Sequence, residues 1–157
     1  MKGTVSIPAK EKETKPGSPA LSAREAITYF SPMEDREADR APLKAVLEHA
    51  GLKAGARYIA FYCADSLEVA LDGTGQYYET IDLIDATHPQ TILAYDMNDR
   101  PLDIAHGAPL RLRLERQLGY KMAKYIMRIE LVADFSQIGD GKGGYWEDQG
   151  YEWWAGI

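Results

Sequence analysis

The sequence predicts one β-rich α+β domain with few helices, and three observations support this class. Several short segments alternate apolar and polar residues, only one segment has clear helical spacing, and no internal repeat is present. The length of 157 residues suits one compact domain. Apolar residues make up 45% of the chain and charged residues 27%, so a core can form without disulfide bonds.

The first 40 residues differ in composition from the rest of the chain. The first aromatic residue is Tyr29, and a charged run at 10–13 is followed by proline, glycine and serine at 16–19. Such a composition buries too little apolar area to offset the entropy lost on ordering. We therefore predict a polar, partly disordered N-terminal segment at 1–40 and a folded domain at 41–157.

The clearest helical pattern begins after Pro42. Its apolar residues recur at i, i+3, i+4 and i+7, which places them on one face of a helix: Leu43, Val46, Leu47 and Ala50. Pro42 suits the first helical turn and Gly51 suits the C-terminal end. The next segment, 57–63, is predicted to be a strand whose inward face carries Ile59, Phe61 and Cys63.

Further strands and turns follow along the chain. Residues 76–81 are predicted to form a strand and 82–86 a short helical turn. The segments 91–97 and 100–104 are predicted to pair as a tight hairpin around Asn98 and Asp99, a turn that requires positive φ at both positions.

Two strands with period-2 patterns complete the predicted sheets. Residues 110–114 (LRLRL) place their leucines inward and Arg111 and Arg113 on the opposite face. Residues 125–132 alternate in the same way, so the predicted buried side carries Tyr125, Met127, Ile129 and Leu131.

Charge and cysteine content exclude several functional classes. The net charge of −6 argues against a nucleic-acid partner, because binding to phosphates normally requires a basic excess. Cys63 is the single cysteine, so neither an intramolecular disulfide nor a cysteine-rich zinc site is possible. The sequence has no apolar run long enough to cross a bilayer and no export signal, so a cytoplasmic location is expected.

The residues best suited to binding lie in the segments 106–111 (HGAPLR) and 119–125 (GYKMAKY). Together they supply an imidazole, a guanidinium and one or two ammonium groups, and Arg111 points away from the leucine face. A guanidinium and an ammonium are the donors that suit a phosphate group. Spacing alone favours the simpler interpretation, an amphipathic strand with solvated arginines, and leaves the anion site as the alternative.

A larger set of motifs extends from Pro42 to Tyr151 in unbroken order. The set comprises PLKAVLEHAGLKAGARYIAFYCAD, TGQYYETIDL, ILAYDMNDRPLDIAHGAPLRLRL, GYKMAKYIMRIELV and GGYWEDQGY. In these motifs the chain resembles the molybdopterin-binding domain of sulfite oxidase and its bacterial relatives. The H-G-x-P-x-R element, followed by G-x-x-x-x-K-[WY], is the most specific part of the resemblance.

The resemblance implies an α+β fold of the sulfite oxidase type and a molybdenum–molybdopterin cofactor. It further implies that His106 and Arg111 bind the terminal phosphate of the pterin and that Lys124 contacts the pterin. Tyr77 stands where that family has a tyrosine close to the metal, three residues before Thr80, which begins the segment matching S-I-P-L. The alternative for Tyr77 is an ordinary half-buried strand aromatic.

The sequence departs from the family at the metal ligand. In the family, the cysteine that binds molybdenum lies in an earlier C-x-x-G-W-S motif, which this sequence lacks. Cys63 matches a non-ligand position, so we predict a small buried core residue and no metal ligand in this chain. The domain is accordingly expected to be N-terminally incomplete relative to the family.

Three hypotheses for function follow from the resemblance and this departure. The chain is an oxidoreductase subunit completed by another polypeptide, a cofactor-binding module without chemistry, or a relic that binds no cofactor. The first hypothesis implies oxygen-atom transfer on a small oxyanion or a sulfoxide, with a separate electron carrier or complementing subunit as partner.

Overall fold

The computed structural model describes residues 3–5, 40–67 and 75–157, and the strands among them form two antiparallel sheets. The four-stranded sheet contains, in spatial order, β1 (Gly3–Val5), β7 (Ile126–Val132), β3 (Tyr58–Ser66) and β4 (Gln76–Asp82). The three-stranded sheet contains β2 (Arg40–Pro42), β5 (Thr91–Ala94) and β6 (Arg111–Leu114) in that order. The predicted β-rich α+β class is confirmed.

In the described residues, three helices and two 3₁₀ turns accompany these strands. The helices are α1 (Leu43–Ala50), α2 (Leu83–Ala86) and α3 (Tyr145–Asp148), and the 3₁₀ turns are Ile104–His106 and Gly119–Lys121. The predicted apolar face of α1 is buried, and the Asp82 carboxylate caps α2 by accepting the Asp85 backbone N–H at 2.7 Å. Within the described ranges, no helix combines the length and apolar character needed to cross a bilayer.

The main core lies between the two sheets. The inward residues Ile59, Phe61 and Cys63 of β3 are fully buried there, as predicted. The leucines of β6 reach the same core, with Leu112 and Leu114 fully buried, while Arg111 and Arg113 are only partly covered. The predicted alternation of β6 is therefore confirmed.

The predicted polar, partly disordered segment at 1–40 contains a strand near its start and stays a prediction for the rest. Residues 3–5 form β1, which pairs with β7 in the register Val5 to Ile129. The rest of the predicted polar segment, residues 1–2 and 6–39, lies outside the described residues.

The predicted alternation of residues 125–132 is wrong in its first half because β7 contains a β-bulge. Cys63 pairs with Ile126 and Tyr62 pairs with Arg128, so the intervening Met127 has no cross-strand partner of its own. The extra residue turns Ile126 into the core and leaves Met127 39% exposed. Tyr125 precedes the strand, with φ of 53°.

The predicted hairpin is confirmed at its turn but not along its length. Asn98 and Asp99 have φ of 54° and 59°, as a two-residue turn requires. Residues 100–104 do not form the predicted strand: a single bridge joins Asp96 to Pro101, and the chain then enters a 3₁₀ turn. Pro101 lacks the N–H that a longer ladder would need.

Candidate functional site

Backbone hydrogen bonds hold the two predicted binding segments side by side. The N–H of Tyr125 donates to the Gly107 carbonyl at 3.2 Å, and the N–H of Ile126 donates to the Leu110 carbonyl at 3.0 Å. A third bond runs from the Leu112 N–H to the Ala123 carbonyl at 2.7 Å. The segments 106–111 and 119–125 thus lie next to each other in space.

Gly107 is the point where these segments approach most closely. Its φ is 101°, a conformation that favours glycine. A Cβ atom added at Gly107 would lie 2.9 Å from the Cβ of Lys124 and 3.4 Å from the Cβ of Arg111. Since His106 is the preceding residue, the structure brings together all three residues predicted to bind the cofactor.

The Arg111 guanidinium is only partly satisfied in this cluster. Its Nη1 donates to the carbonyl oxygen of His106 at 3.1 Å, whereas its Nε is buried and has no hydrogen-bond partner among the described residues. Within 40–67 and 75–157, neither Arg111 nor Lys124 forms an ion pair with an acid. Burial, together with the charge of Arg113, lowers the pKa of Arg111.

Arg113, two residues along the same face of β6, shows the contrasting arrangement. Its guanidinium is paired with the Glu115 carboxylate, and both side chains are 43% exposed. The solvated-arginine interpretation therefore holds for Arg113. Arg111 instead keeps a buried donor that lacks an acceptor, which is the arrangement expected of an anion site.

Asp103 orients His106 and was not singled out from the sequence. Its Oδ1 lies 2.7 Å from the His106 Nδ1 and accepts the His106 backbone N–H at 2.9 Å. The hydrogen bond from the His106 side chain lowers the pKa of Asp103. The available signal was the spacing of an aspartate three residues before the histidine, which is typical of a helix N-cap. With Nδ1 engaged, Nε2 is the ring nitrogen left to bind a ligand.

A cavity of about 220 Å³ adjoins the cluster. Lys124 lines it and also packs against Gly107, so one side chain belongs to both the cavity and the cationic cluster. The other lining residues are mostly aromatic or apolar and include Leu67, Tyr77, Tyr120, Met122 and Trp146. An elongated ligand with an anionic end could therefore occupy both places.

Tyr77 forms part of the cavity wall. It is only 8% exposed, and its phenol donates a hydrogen bond to the carbonyl oxygen of Tyr120. Burial, followed by the charge of Glu79, raises the pKa of Tyr77 well above its ordinary value. The phenol therefore remains protonated and can act as a donor at neutral pH. Its predicted proximity to a metal stays a prediction.

Cys63 lies in the core and does not line the cavity. Its side chain is fully buried beside Phe61 on the inward face of β3. Burial raises the pKa of the thiol to about 12, with a further contribution from the charge of Asp65. The thiol is thus held in its unreactive form, and its predicted place on the inward face is confirmed.

A buried ionic cluster was missed by sequence reasoning. The Lys121 ammonium lies 2.5 Å from Oε1 of Glu79 and 2.5 Å from Oε1 of Glu147, and all three side chains are at most 1% exposed. The two glutamates are separated from Lys121 by 42 and 26 residues in sequence. No spacing rule joins positions this far apart, so the sequence carried no signal for the cluster.

A family model described as "Oxidoreductase molybdopterin binding domain" matches residues 40–138. The chain belongs to this family of molybdopterin-binding domains. The resemblance noted in the motifs is therefore confirmed, and the family cofactor is molybdenum held by molybdopterin.

Among curated relatives, this molybdopterin-binding domain is similar to three oxidoreductases. A provisionally named protein-methionine-sulfoxide reductase subunit of Azospira oryzae is 36% identical over 73% of this chain and 38% of its own length. The catalytic subunit of a protein-methionine-sulfoxide reductase of Pseudomonas syringae is 36% identical over 59% and 30%. The sulfite oxidase of Arabidopsis thaliana is 34% identical over 53% and 21%. The chain thus spans less than two fifths of each relative.

The cationic cluster of this molybdopterin-binding domain fits the phosphate end of the cofactor. The buried Nε of Arg111 lacks an acceptor, and Gly107 keeps the surface beside Lys124 free of a side chain. Phosphate oxygens are acceptors only, so they would satisfy Arg111 without adding an unpaired donor.

Proposed function

We propose that this chain is the molybdopterin-binding part of an oxidoreductase that transfers an oxygen atom at molybdenum, and that it is inactive by itself. The single observation that carries the proposal is the buried, unpartnered Nε of Arg111. A charged donor left unsatisfied in a protein interior is costly unless a ligand completes it. The family cofactor ends in a phosphate group, whose oxygens would accept the hydrogen bond of the Arg111 Nε.

Each predicted site residue has a distinct task in this proposal. Arg111 and His106 hold the terminal phosphate, while Lys124 reaches from that cluster to the pterin in the cavity. Tyr77 can turn its phenolic proton from the Tyr120 carbonyl to an oxygen atom at the cavity wall. The bound cofactor supplies the site of oxygen-atom and electron exchange.

We propose a sulfoxide or a small oxyanion as substrate, with a separate electron carrier or complementing subunit as partner. The names of two relatives specify methionine sulfoxide reduction, and one of these relatives is described as a catalytic subunit. The cavity suits such a substrate because Met122, Trp146 and Leu67 offer apolar contact, whereas Tyr77 offers a donor for the sulfoxide oxygen.

The burial of Cys63 supports inactivity of the chain alone. A molybdenum ligand must be a deprotonated thiolate, and burial holds this thiol protonated in the core. The thiolate would then come from polypeptide outside this sequence. The same observation favours the second candidate function, a module that holds the cofactor without performing chemistry.

The test is to purify the chain from cells that make the cofactor and to measure its molybdenum and pterin content. Arg111→Gln should lose bound pterin, whereas Arg113→Gln, on the same face of the same strand, should retain it. Equal pterin content in both variants, or no pterin in the wild type, would contradict the proposed binding site.

Activity then separates the two candidate functions. The cofactor-loaded chain alone should neither oxidise sulfite nor reduce sulfoxides with an artificial electron carrier. Activity that appears on adding a complementing subunit supports the oxidoreductase, and continued inactivity supports the non-catalytic module. Activity of the chain alone that disappears in Cys63→Ala would show that Cys63 is the metal ligand after all.

A further inference from the structure

The buried cluster of Lys121, Glu79 and Glu147 is formed by residues close in sequence to those that line the cavity. Glu79 lies in β4, Lys121 in the 3₁₀ turn Gly119–Lys121 and Glu147 in α3, so the cluster ties three separate elements together. The same three regions supply cavity-lining residues next to the cluster in sequence: Tyr77, Tyr120, Met122 and Trp146. The cluster therefore fixes the wall of the cavity.

The charges in this cluster do not balance. One ammonium faces two carboxyl groups, and in the described part of the chain neither Oε2 of Glu79 nor Oε2 of Glu147 has a hydrogen-bond partner. Two ionised carboxylates in so dry a site would leave one buried charge uncompensated, which is strongly unfavourable. One added proton removes the excess charge and also supplies a donor for an unpartnered oxygen.

Glu79 is the better placed of the two carboxyls to carry that proton to the cavity. It is two residues from Tyr77 on β4, so both side chains lie on one face of the strand. The Tyr77 phenol donates its own proton to the Tyr120 carbonyl, and an interaction with the Glu79 side chain helps to raise the pKa of Tyr77. Oε2 of Glu79 has no acceptor among the described residues, so a proton on it can turn toward the phenol oxygen on the same face of β4.

We propose that Glu79 holds a proton at neutral pH and delivers it through Tyr77 to the oxygen atom reacting in the cavity. Lys121 and Glu147 are positioning residues that keep Glu79 in place and set its charge. The delivery step rests on the proposed function, whereas the protonation of Glu79 does not.

The proton has a defined place in the reaction. Reduction of one sulfoxide consumes two protons and two electrons and yields one thioether and one water. The electron carrier of the proposed function supplies both electrons. Tyr77 turns its phenolic proton from the Tyr120 carbonyl to the leaving oxygen and takes the proton of Glu79, and solvent returns a proton to Glu79. The second proton comes directly from water.

The electrostatic surroundings agree with this assignment. Burial raises the pKa of Glu79, the Lys121 ammonium opposes that rise, and the Glu147 carboxylate adds to it. The other titratable groups near Glu79 are Cys63, Tyr77, Tyr78 and Tyr120, all of which are neutral when protonated. The ammonium of Lys121 is thus the one cation described beside Glu79.

Infrared absorption of the purified full chain at neutral pH tests the protonation without any cofactor. The wild type should show the carbonyl stretch of one protonated carboxyl group, which Glu79→Gln abolishes. Glu147→Gln should abolish it too, because Glu79 is then paired with Lys121 alone and ionises. Lys121→Met should about double the band, because both carboxyls then become neutral. The surface variant Glu48→Gln is the matched control and should leave the band unchanged.

Two further measurements test the connection to Tyr77 and the delivery. Tyr77→Phe should shift the frequency of the band, since the Glu79 proton loses its acceptor. In the cofactor-loaded protein with its complementing subunit, Glu79→Gln should lower kcat by about 100-fold while KM and pterin content stay unchanged.

The outcomes distinguish this inference from the proposed function. Absence of the band in the wild type, or its persistence in Glu79→Gln, would overturn the protonation even if the chain binds cofactor. An unshifted band in Tyr77→Phe would overturn the relay, as would a full kcat in Glu79→Gln. A chain that binds no pterin contradicts the proposed function and, with it, the delivery step, while the infrared result still decides the protonation.

Discussion

Replacing Gly107 with alanine measures how closely the two binding segments approach each other. At φ of 101° an alanine costs about 1–2 kcal/mol in backbone strain. The new Cβ would lie only 2.9 Å from the Cβ of Lys124, and overpacking of this kind costs about 1–3 kcal/mol more. We therefore expect Gly107→Ala to lower the free energy of unfolding by about 2–5 kcal/mol in all.

The control for this prediction is Gly55→Ala. Gly55 has nearly the same φ, 98°, but no described residue other than its chain neighbours has an atom within 4 Å of its added Cβ, so the substitution has only the strain component. Denaturant unfolding of both variants isolates the contact with Lys124 as the difference between them, and pterin content reports its effect on binding. Equal destabilisation of the two variants would refute the close approach at Gly107.

Three other predictions follow from single residues. Thiol reagents should label Cys63 slowly in the folded chain, because burial raises its pKa to about 12; rapid labelling at neutral pH would show an exposed thiolate. Burial raises the pKa of Glu79, so as the pH rises the Glu79 carboxyl ionises in the unfolded chain before it ionises in the folded chain. The free energy of unfolding should therefore fall as the pH rises above the ordinary carboxyl pKa of about 4.3. Unfolding curves of Glu79→Gln should lack that fall, and an unchanged pH dependence would contradict it. Asp103→Ala, at an exposed position, should lower pterin retention with little change in melting temperature, and wild-type retention would argue against orientation of His106 by Asp103.

Local patterns predicted the parts of the fold that depend on local physics. The helical face of α1 and the alternation of β6 follow from side-chain period, and both were confirmed. The bulge at Met127 was not predictable in this way, because it depends on how β7 pairs with β3. A period-2 pattern in one strand carries no information about a residue that its partner strand leaves unpaired.

The site divides in a similar manner. His106, Arg111 and Lys124 were predicted from the resemblance of two short motifs to a known family, because their spacing alone favoured solvated arginines. Glu79, Lys121 and Glu147 come together only through the packing of β4, a 3₁₀ turn and α3. In sequence, each is an ordinary charged residue with no oppositely charged partner at helical or strand spacing.

The double placement of Lys124 makes the two ends of the ligand site thermodynamically linked. The Lys124 side chain passes Gly107 with its Cβ and Cγ atoms and also lines the cavity, so an anion at Arg111 would draw the Lys124 ammonium toward itself and alter the field inside the cavity. Linkage is reciprocal. If an anion such as inorganic phosphate changes the affinity for a cavity ligand by some factor, that ligand changes the affinity for phosphate by the same factor. The affinity of a ligand fragment for one end of the site should therefore depend on whether the other end is occupied. Replacing Lys124 should remove this dependence.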